Sequence, residues 1–204
     1  MPRVKIPRKS TAIDMTAMCD VAFLLLTFFI LTAKPKTDDP VPVDIPASTE
    51  KVILPDANVA QLTVGSKKVF FSIDGDSVRT ELVKQMAAKY KVALTESEVK
   101  QFAGMPNVGV PMGSLKEYLD LDPEKRKGMQ LPGIPVDTTA DNELYDWVRN
   151  ARVVVKNLHN TELRIAIKGN SQEEYPTIAT IIKTLQKQKV NKFALITALK
   201  SAPK

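Results

Sequence analysis

The chain has 204 residues, of which 29 are basic and 23 acidic, giving a formal net charge of +6 at neutral pH. The first 33 residues hold four basic and two acidic side chains, so the remainder carries only +4, too small an excess to indicate nucleic-acid binding. One cysteine and one histidine exclude an internal disulfide framework and any metal site built from several of these residues.

The first predicted element is a membrane-spanning helix. Residues 15–33 contain no charged side chain except Asp20, and a helix of that length reaches roughly 28 Å, close to the thickness of a bilayer core. We therefore predict a basic tail at 1–12 and a transmembrane helix at 13–34, with the N-terminus in the cytoplasm by the positive-inside rule. A cleaved signal peptide or a buried core helix would share the apolar run, but its length and the acid near its start favour a retained anchor.

Asp20 is the leading functional candidate because a charged carboxylate is unfavourable in hydrocarbon and no basic residue lies within this helix. Loss of hydration disfavours the charged form of a carboxyl group, so such a residue can take up and release a proton when its surroundings change. Thr16, Leu24 and Thr27 fall on the same helical face. We interpret Asp20 as proton-carrying and the other three as channel-facing. The alternatives are assembly glue for Asp20 and a bond to its own helix for Thr27.

An extended linker is predicted at 35–58. Prolines at 40, 42 and 46 oppose a helix, and apolar side chains alternate with proline and aspartate between residues 41 and 46, a pattern typical of an edge strand. We predict that this segment binds a partner by pairing with a second copy of the chain or with a transducing protein. The predicted partner-binding residues are Val43, Asp44, Ile45 and Pro46.

Residues 59–204 are predicted to form a small α+β domain. Periodicity and turn residues predict two strands at 61–64 and 68–73 around the turn Gly65-Ser66-Lys67, a helix at 144–158, a strand at 163–167, a helix around 178–185 and a strand at 193–197. The buried face of the first helix is predicted to include Leu144, Trp147, Val148, Ala151, Val155 and Leu158. This order indicates a mixed sheet with two main helices.

A helical insertion is predicted at about 75–140. Apolar residues recur at helical spacing between residues 78 and 91. Thr95-Glu-Ser-Glu98 and Ser114-Leu-Lys-Glu117 resemble capping boxes that open short helices, and glycines and prolines separate these pieces.

The sequence contains no phosphate-binding glycine-rich loop and no Gly-x-Ser-x-Gly elbow. His159 stands between asparagines near a predicted helix end, where a capping or surface role fits better than catalysis. We expect a protein that is not an enzyme and that needs no cofactor or metal.

The run Ile13-Asp-Met-Thr-Ala-Met-Cys-Asp20, opening a single membrane helix after a short basic tail, resembles the ExbD/TolR family of proton-channel subunits. Asp20 falls on the family's essential aspartate. Val43-Asp-Ile-Pro46, the strand at 163–168 and Phe193-Ala-Leu-Ile-Thr197 extend the resemblance along most of the chain. Ala17 stands where the family usually has proline, and the predicted insertion enlarges the family's compact domain.

The resemblance implies a bacterial inner-membrane subunit whose α+β domain lies in the periplasm. It further implies two copies of the helix inside an ExbB-like multi-span ring, expected to be a pentamer, and a TonB-like transducer that serves outer-membrane transport. The ExbD type is favoured. The alternatives are a TolR-like subunit, a flagellar-stator-like subunit, whose peptidoglycan-binding domain is not recognisable here, and a membrane-anchored scaffold held together by Asp20.

Overall fold

The computed structural model describes residues 15–33, 40–41, 43–45, 47–48, 57–122, 125–126, 129–136, 142–170, 175–196 and 198–199. The chain divides into two compact units, one ending at residue 37 and the other beginning at residue 38. Helix α1 (Met15–Thr32) lies in the first unit, and all other described elements lie in the second.

Helix α1 has the length and composition of a membrane span. Its 18 residues have a mean hydropathy of 2.0, none of its side chains is buried, and it extends roughly 27 Å. Residues 13, 14 and 34 of the predicted span lie outside the described residues. The expected apolar helix at the N-terminal end of the chain is therefore confirmed.

The second unit contains strands and helices in mixed order. Its strands are β1 (Ala47–Ser48), β2 (Val59–Gly65), β3 (Lys68–Ile73), β4 (Asn107–Val108), β5 (Arg164–Gly169), β6 (Phe193–Leu195) and β7 (Ala198–Leu199). Its helices are α2 (Asp76–Tyr90), α3 (Glu96–Ala103), α4 (Met112–Asp120), α5 (Glu143–His159) and α6 (Tyr175–Lys187).

Five of these strands form one mixed sheet in the order β4-β3-β2-β5-β6. Strand β3 runs antiparallel to β2 and β4, whereas β5 runs parallel to β2 and β6. Parallel neighbours need crossover connections, and α6 supplies the one between β5 and β6. Strands β1 and β7 form a separate parallel pair. The predicted fold class, one apolar helix followed by a small α+β domain, is confirmed.

The β2–β3 hairpin turns on two residues rather than three. Gly65 pairs with Lys68 in the ladder, and the loop consists of Ser66 and Lys67, which have φ values of 54° and 60°. Two consecutive positive φ values give a loop whose twist matches that of the strands. The prediction that placed Gly65 in the turn is wrong, because Gly65 is the last residue of β2.

The core is centred on Trp147 of α5, which is fully buried. The rings of Phe71 on β3 and Phe102 on α3 stack on it, with centroids 5.9 and 6.0 Å away. Five of the six predicted α5 core residues are buried, but Leu158 is 48% exposed. Leu158 lies on the same face but in the last turn of the helix, next to the exposed C-cap residue Asn160.

The segment at 76–120 shares this core with the sheet. Helix α2 packs against α5, and its fully buried side chains include Val78, Leu82 and Met86. Strand β4 adds a short edge to β3. The interpretation of 75–140 as an insertion remains a prediction, but its described helices belong to the common core.

The two predicted capping boxes have opposite outcomes. At α3, the Thr95 hydroxyl accepts the Glu98 N–H and the Glu98 carboxylate accepts the Thr95 N–H, which confirms the box. The bond from the Thr95 N–H to the carboxylate is the largest of the interactions that lower the pKa of Glu98. The predicted box at Ser114 is wrong, because α4 begins earlier, at Met112. The Met112 N–H donates instead to Glu143 Oε1 of α5, at 2.9 Å.

Candidate functional site

Asp20 lies on α1 among exposed apolar side chains. Thr16, Leu24 and Thr27 are spaced from it by one or two helical turns, so the helix places all four along one face. The predicted proton-carrying residue and the three predicted channel-facing residues therefore share one face of the helix. Whether the face lines a proton path remains a prediction.

The polar groups on this face differ in their bonding. The Thr27 hydroxyl donates to the Leu24 carbonyl oxygen at 2.9 Å. Thr27 therefore makes the bond within its own helix that was the alternative to a channel-facing role. Thr16 also makes a polar interaction. Within the part of the chain that the structure describes, no hydrogen bond or ion pair reaches the Asp20 carboxylate.

The predicted partner-binding segment lies on the α+β domain. Val43 and Ile45 are half-buried, Asp44 between them is exposed, and Pro46 lies outside the described residues. Residues 43–45 do not form the expected strand; the strand occurs at Ala47–Ser48 and pairs with β7. Prolines at 42 and 46 lack the N–H groups that a strand ladder requires. Over residues 43–45, half-buried and exposed side chains nevertheless alternate.

Two other features of the α+β domain contain none of the predicted site residues. Nδ1 of His159 hydrogen bonds to Oδ1 of Asn58 at the surface, which fits the expected surface role. A cleft of about 490 Å³ is lined mainly by lysine, proline and threonine side chains. Among the described residues, no three His, Cys, Asp or Glu side chains are grouped so that they could hold a metal ion.

Sequence reasoning missed two buried acids at the start of α5. Glu143 is 8% and Asp146 6% exposed. Glu143 Oε1 accepts the Met112 N–H at 2.9 Å and the Trp147 Nε1–H at 3.2 Å. Burial raises the pKa of Glu143; the bonds from Trp147 and Met112 oppose this shift, and the charge of Asp146 adds to it. No local sequence signal marks these acids, because an acid in a first helical turn is usually solvent-exposed.

Asp146 is bonded to α2 rather than to α4. Its carboxylate pairs with the Lys89 ammonium group and accepts the Tyr90 hydroxyl at 2.8 Å. The two acids therefore connect α5 to α4 and to α2, which is a structural role in the core.

The chain matches a known protein family over nearly its whole length. The family model of the biopolymer transport protein ExbD/TolR matches residues 7–200, nearly the whole sequence. The chain belongs to the ExbD/TolR family. Comparisons with curated proteins and with solved structures give no significant match.

ExbD/TolR proteins are membrane-anchored subunits that couple energy to biopolymer transport, and they work in complexes with partner membrane proteins. They are transport subunits rather than enzymes. The match covers both α1 and the α+β domain and does not separate the ExbD type from the TolR type.

Proposed function

We propose that this ExbD/TolR protein is a proton-carrying motor subunit of the bacterial inner membrane, with Asp20 as the carrier. The observation that carries the proposal is the position of this carboxyl group. Asp20 is the only ionisable residue besides Cys19 in an 18-residue apolar helix, and no described residue is bonded to it. Once the helix is in a bilayer, the carboxyl group must be neutral, hydrated or paired with a group on another protein.

Protonation then decides which surroundings the helix can face. A charged aspartate at the bilayer centre costs about 2.5–3.5 kcal/mol, and one proton moving through 100 mV releases about 2.3 kcal/mol. Protonation neutralises the carboxyl group and so removes the cost of moving a charge past an apolar partner surface. The energy that the proton releases on crossing the membrane is of the same size as that cost. Release of the proton on the cytoplasmic side resets the charge. Thr16, Leu24 and Thr27 line the same face and move with Asp20.

The partners follow from this requirement and from the family. An ExbB-like ring, expected to be a pentamer, would surround two copies of α1 and supply the surface that Asp20 faces. The α+β domain would lie in the periplasm, where residues 43–46 bind a second copy or a TonB-like transducer. In the ExbD type, which we favour, the force drives TonB-dependent outer-membrane transport.

The test compares Asp20→Asn with Asp20→Glu and with Cys19→Ser, a neighbouring change that leaves the carboxyl group in place. Two quantities are measured: co-purification with the ring subunit and proton-driven uptake by cells. We expect Asp20→Asn to assemble normally and to abolish uptake, Asp20→Glu to retain part of it, and Cys19→Ser to retain all of it.

Two results would contradict the carrier role. Full uptake by Asp20→Asn would show that proton transfer does not need this carboxyl group. Loss of the ring from Asp20→Asn preparations would make Asp20 an assembly residue, which is the scaffold alternative.

A further inference from the structure

Helices α5 and α6 lie side by side, and hydrogen bonds join them. The Asn142 amide at the start of α5 donates to the Thr184 hydroxyl at 3.1 Å, and the Gln188 amide donates to the Tyr145 carbonyl oxygen at 2.7 Å. An N–H of Arg152 donates to the Gln188 carbonyl oxygen at 3.1 Å. These bonds fix which side of each helix faces the other helix.

Basic side chains lie on the outer surface beside this contact. Arg149 and Lys156 are three and four residues from Arg152, so they share its side of α5. Lys183 and Lys187 each precede by one residue a position that bonds to α5, and the turn of the helix places them beside the contact but outside it. All are exposed except Arg152, which is half-buried. We call these five residues the basic face.

The two helices, both described from end to end, carry no exposed acid that would neutralise the basic face. Helix α6 contains no acid, and the acids of α5, Glu143 and Asp146, are buried and bonded inside the domain. Val153 is 44% exposed and lies between Arg149 and Lys156 on the outer side of α5. The basic face therefore combines positive charge with an exposed apolar side chain.

We propose that the basic face docks on the anionic phospholipid headgroups of the bilayer that α1 spans. A Lys or Arg held near an anionic bilayer strengthens binding about fivefold, and an apolar side chain between such residues enters the headgroup region. The α+β domain follows the unit that contains α1 directly in the chain, so the tether keeps the local concentration of headgroups high. The inference rests on the membrane anchor of the family and not on proton transfer by Asp20.

The arrangement of the basic face favours a bilayer over an acidic segment of a protein. A bound peptide gains most from a cleft that encloses its side chains, and the cleft of about 490 Å³ is lined by none of the five residues. Headgroups instead form a broad layer of negative charge, which long basic side chains projecting from two neighbouring helices can contact without a fixed geometry. The basic face therefore suits a partner that is recognised by charge rather than by shape.

The test uses the full-length chain in phosphatidylcholine nanodiscs, whose own bilayer has no net charge. Flotation with phosphatidylglycerol vesicles at low salt measures binding, with phosphatidylcholine vesicles and empty nanodiscs as references. Arg149→Gln combined with Lys183→Gln removes two charges from the basic face. Lys84→Gln combined with Lys100→Gln is the matched control, because it removes two exposed charges from α2 and α3. All four side chains are exposed, so both pairs should fold, with the fluorescence of buried Trp147 as the check.

We expect the parent chain to bind phosphatidylglycerol vesicles, to bind more weakly as salt is raised, and to leave phosphatidylcholine vesicles unbound. The pair on the basic face should bind about 25-fold more weakly, and the control pair should bind nearly as tightly as the parent chain. Equal losses in the two pairs would overturn the basic face as the docking surface, since net charge alone would then explain binding. Binding of polyglutamate but not of phosphatidylglycerol vesicles would overturn the lipid as partner and indicate an acidic protein segment.

Discussion

Glu143 connects two helices through one oxygen atom, so its replacement should separate the effect of hydrogen bonding from that of charge. Its Oε1 accepts the Met112 N–H at 2.9 Å and the Trp147 Nε1–H at 3.2 Å, and the residue is 8% exposed. Glu143→Met keeps a similar volume and leaves both donors without an acceptor. Each buried unsatisfied donor costs about 1–3 kcal/mol, so we expect the free energy of unfolding to fall by about 2–6 kcal/mol, a large share of the roughly 5–15 kcal/mol of a typical domain.

Glu143→Gln is the matched variant because its amide oxygen can accept the same two hydrogen bonds. Burial raises the pKa of Glu143 above its ordinary value, so folding favours the neutral acid. That stabilisation is fully present below the pKa of the unfolded chain, about 4.3, and is lost as the pH rises through the higher pKa of the folded protein. Glutamine has no such loss. The stability of Glu143→Gln relative to the parent chain should therefore increase from acidic to neutral pH.

The assay is urea unfolding of the full-length chain in detergent, followed by tryptophan fluorescence. Trp147 is the only tryptophan and is fully buried, so its emission reports on the α+β domain and not on α1. If the free energies of unfolding of Glu143→Met and Glu143→Gln lie within about 0.5 kcal/mol of each other, the two hydrogen bonds to Glu143 do not stabilise the domain. If the difference in free energy of unfolding between Glu143→Gln and the parent chain is constant with pH, ionisation of Glu143 does not affect stability.

The same urea assay checks two further changes. Gly133 has a φ of +88°, and a Cβ on it would lie 2.9 Å from Lys68 Cβ. Gly133→Ala should therefore lower the free energy of unfolding by about 1–3 kcal/mol. An unchanged urea midpoint would show that this loop adapts to the added methyl group. Tyr90→Phe removes the 2.8 Å hydrogen bond to Asp146 and should lower the free energy of unfolding by only about 0.5–1.5 kcal/mol, because Lys89 still pairs with the carboxylate. A loss as large as that of Glu143→Met would contradict this role of Lys89.

The elements with strong periodic patterns could be predicted from the sequence. Helix α1, the β2–β3 hairpin, α5 and the strands β5 and β6 occur where alternation or helical spacing predicts them. The capping box at Thr95 is also correct, because both of its hydrogen bonds join residues three apart. In each case the determining interaction is local, or the apolar face is long enough to fix the element.

The elements that could not be predicted depend on contacts between distant parts of the chain. Helix α4 begins at Met112 because Glu143, 31 residues later, accepts its N–H; the local rule pointed to Ser114. Gly65 lies in the strand, where it pairs with Lys68, and a Cβ on it would approach Val41 Cγ1 of the distant linker to 3.2 Å; the local rule assigned this glycine to the turn. Spacing rules contain no information about such partners.

A comparison of the two carboxyl groups explains why Asp20 could be singled out from the sequence and Glu143 could not. Both groups are removed from water, one by the folded domain and the other, in our proposal, by the bilayer. The fold supplies Glu143 with two donors, Met112 and Trp147, so its burial is balanced within the chain and its role is structural. No described residue supplies Asp20 with a donor or a cation, and the helix that carries it has the hydropathy of a candidate membrane span. In a bilayer, a carboxyl group without a partner among the described residues must be neutral, hydrated or paired with another group, which is the condition that our proposed proton-driven subunit exploits.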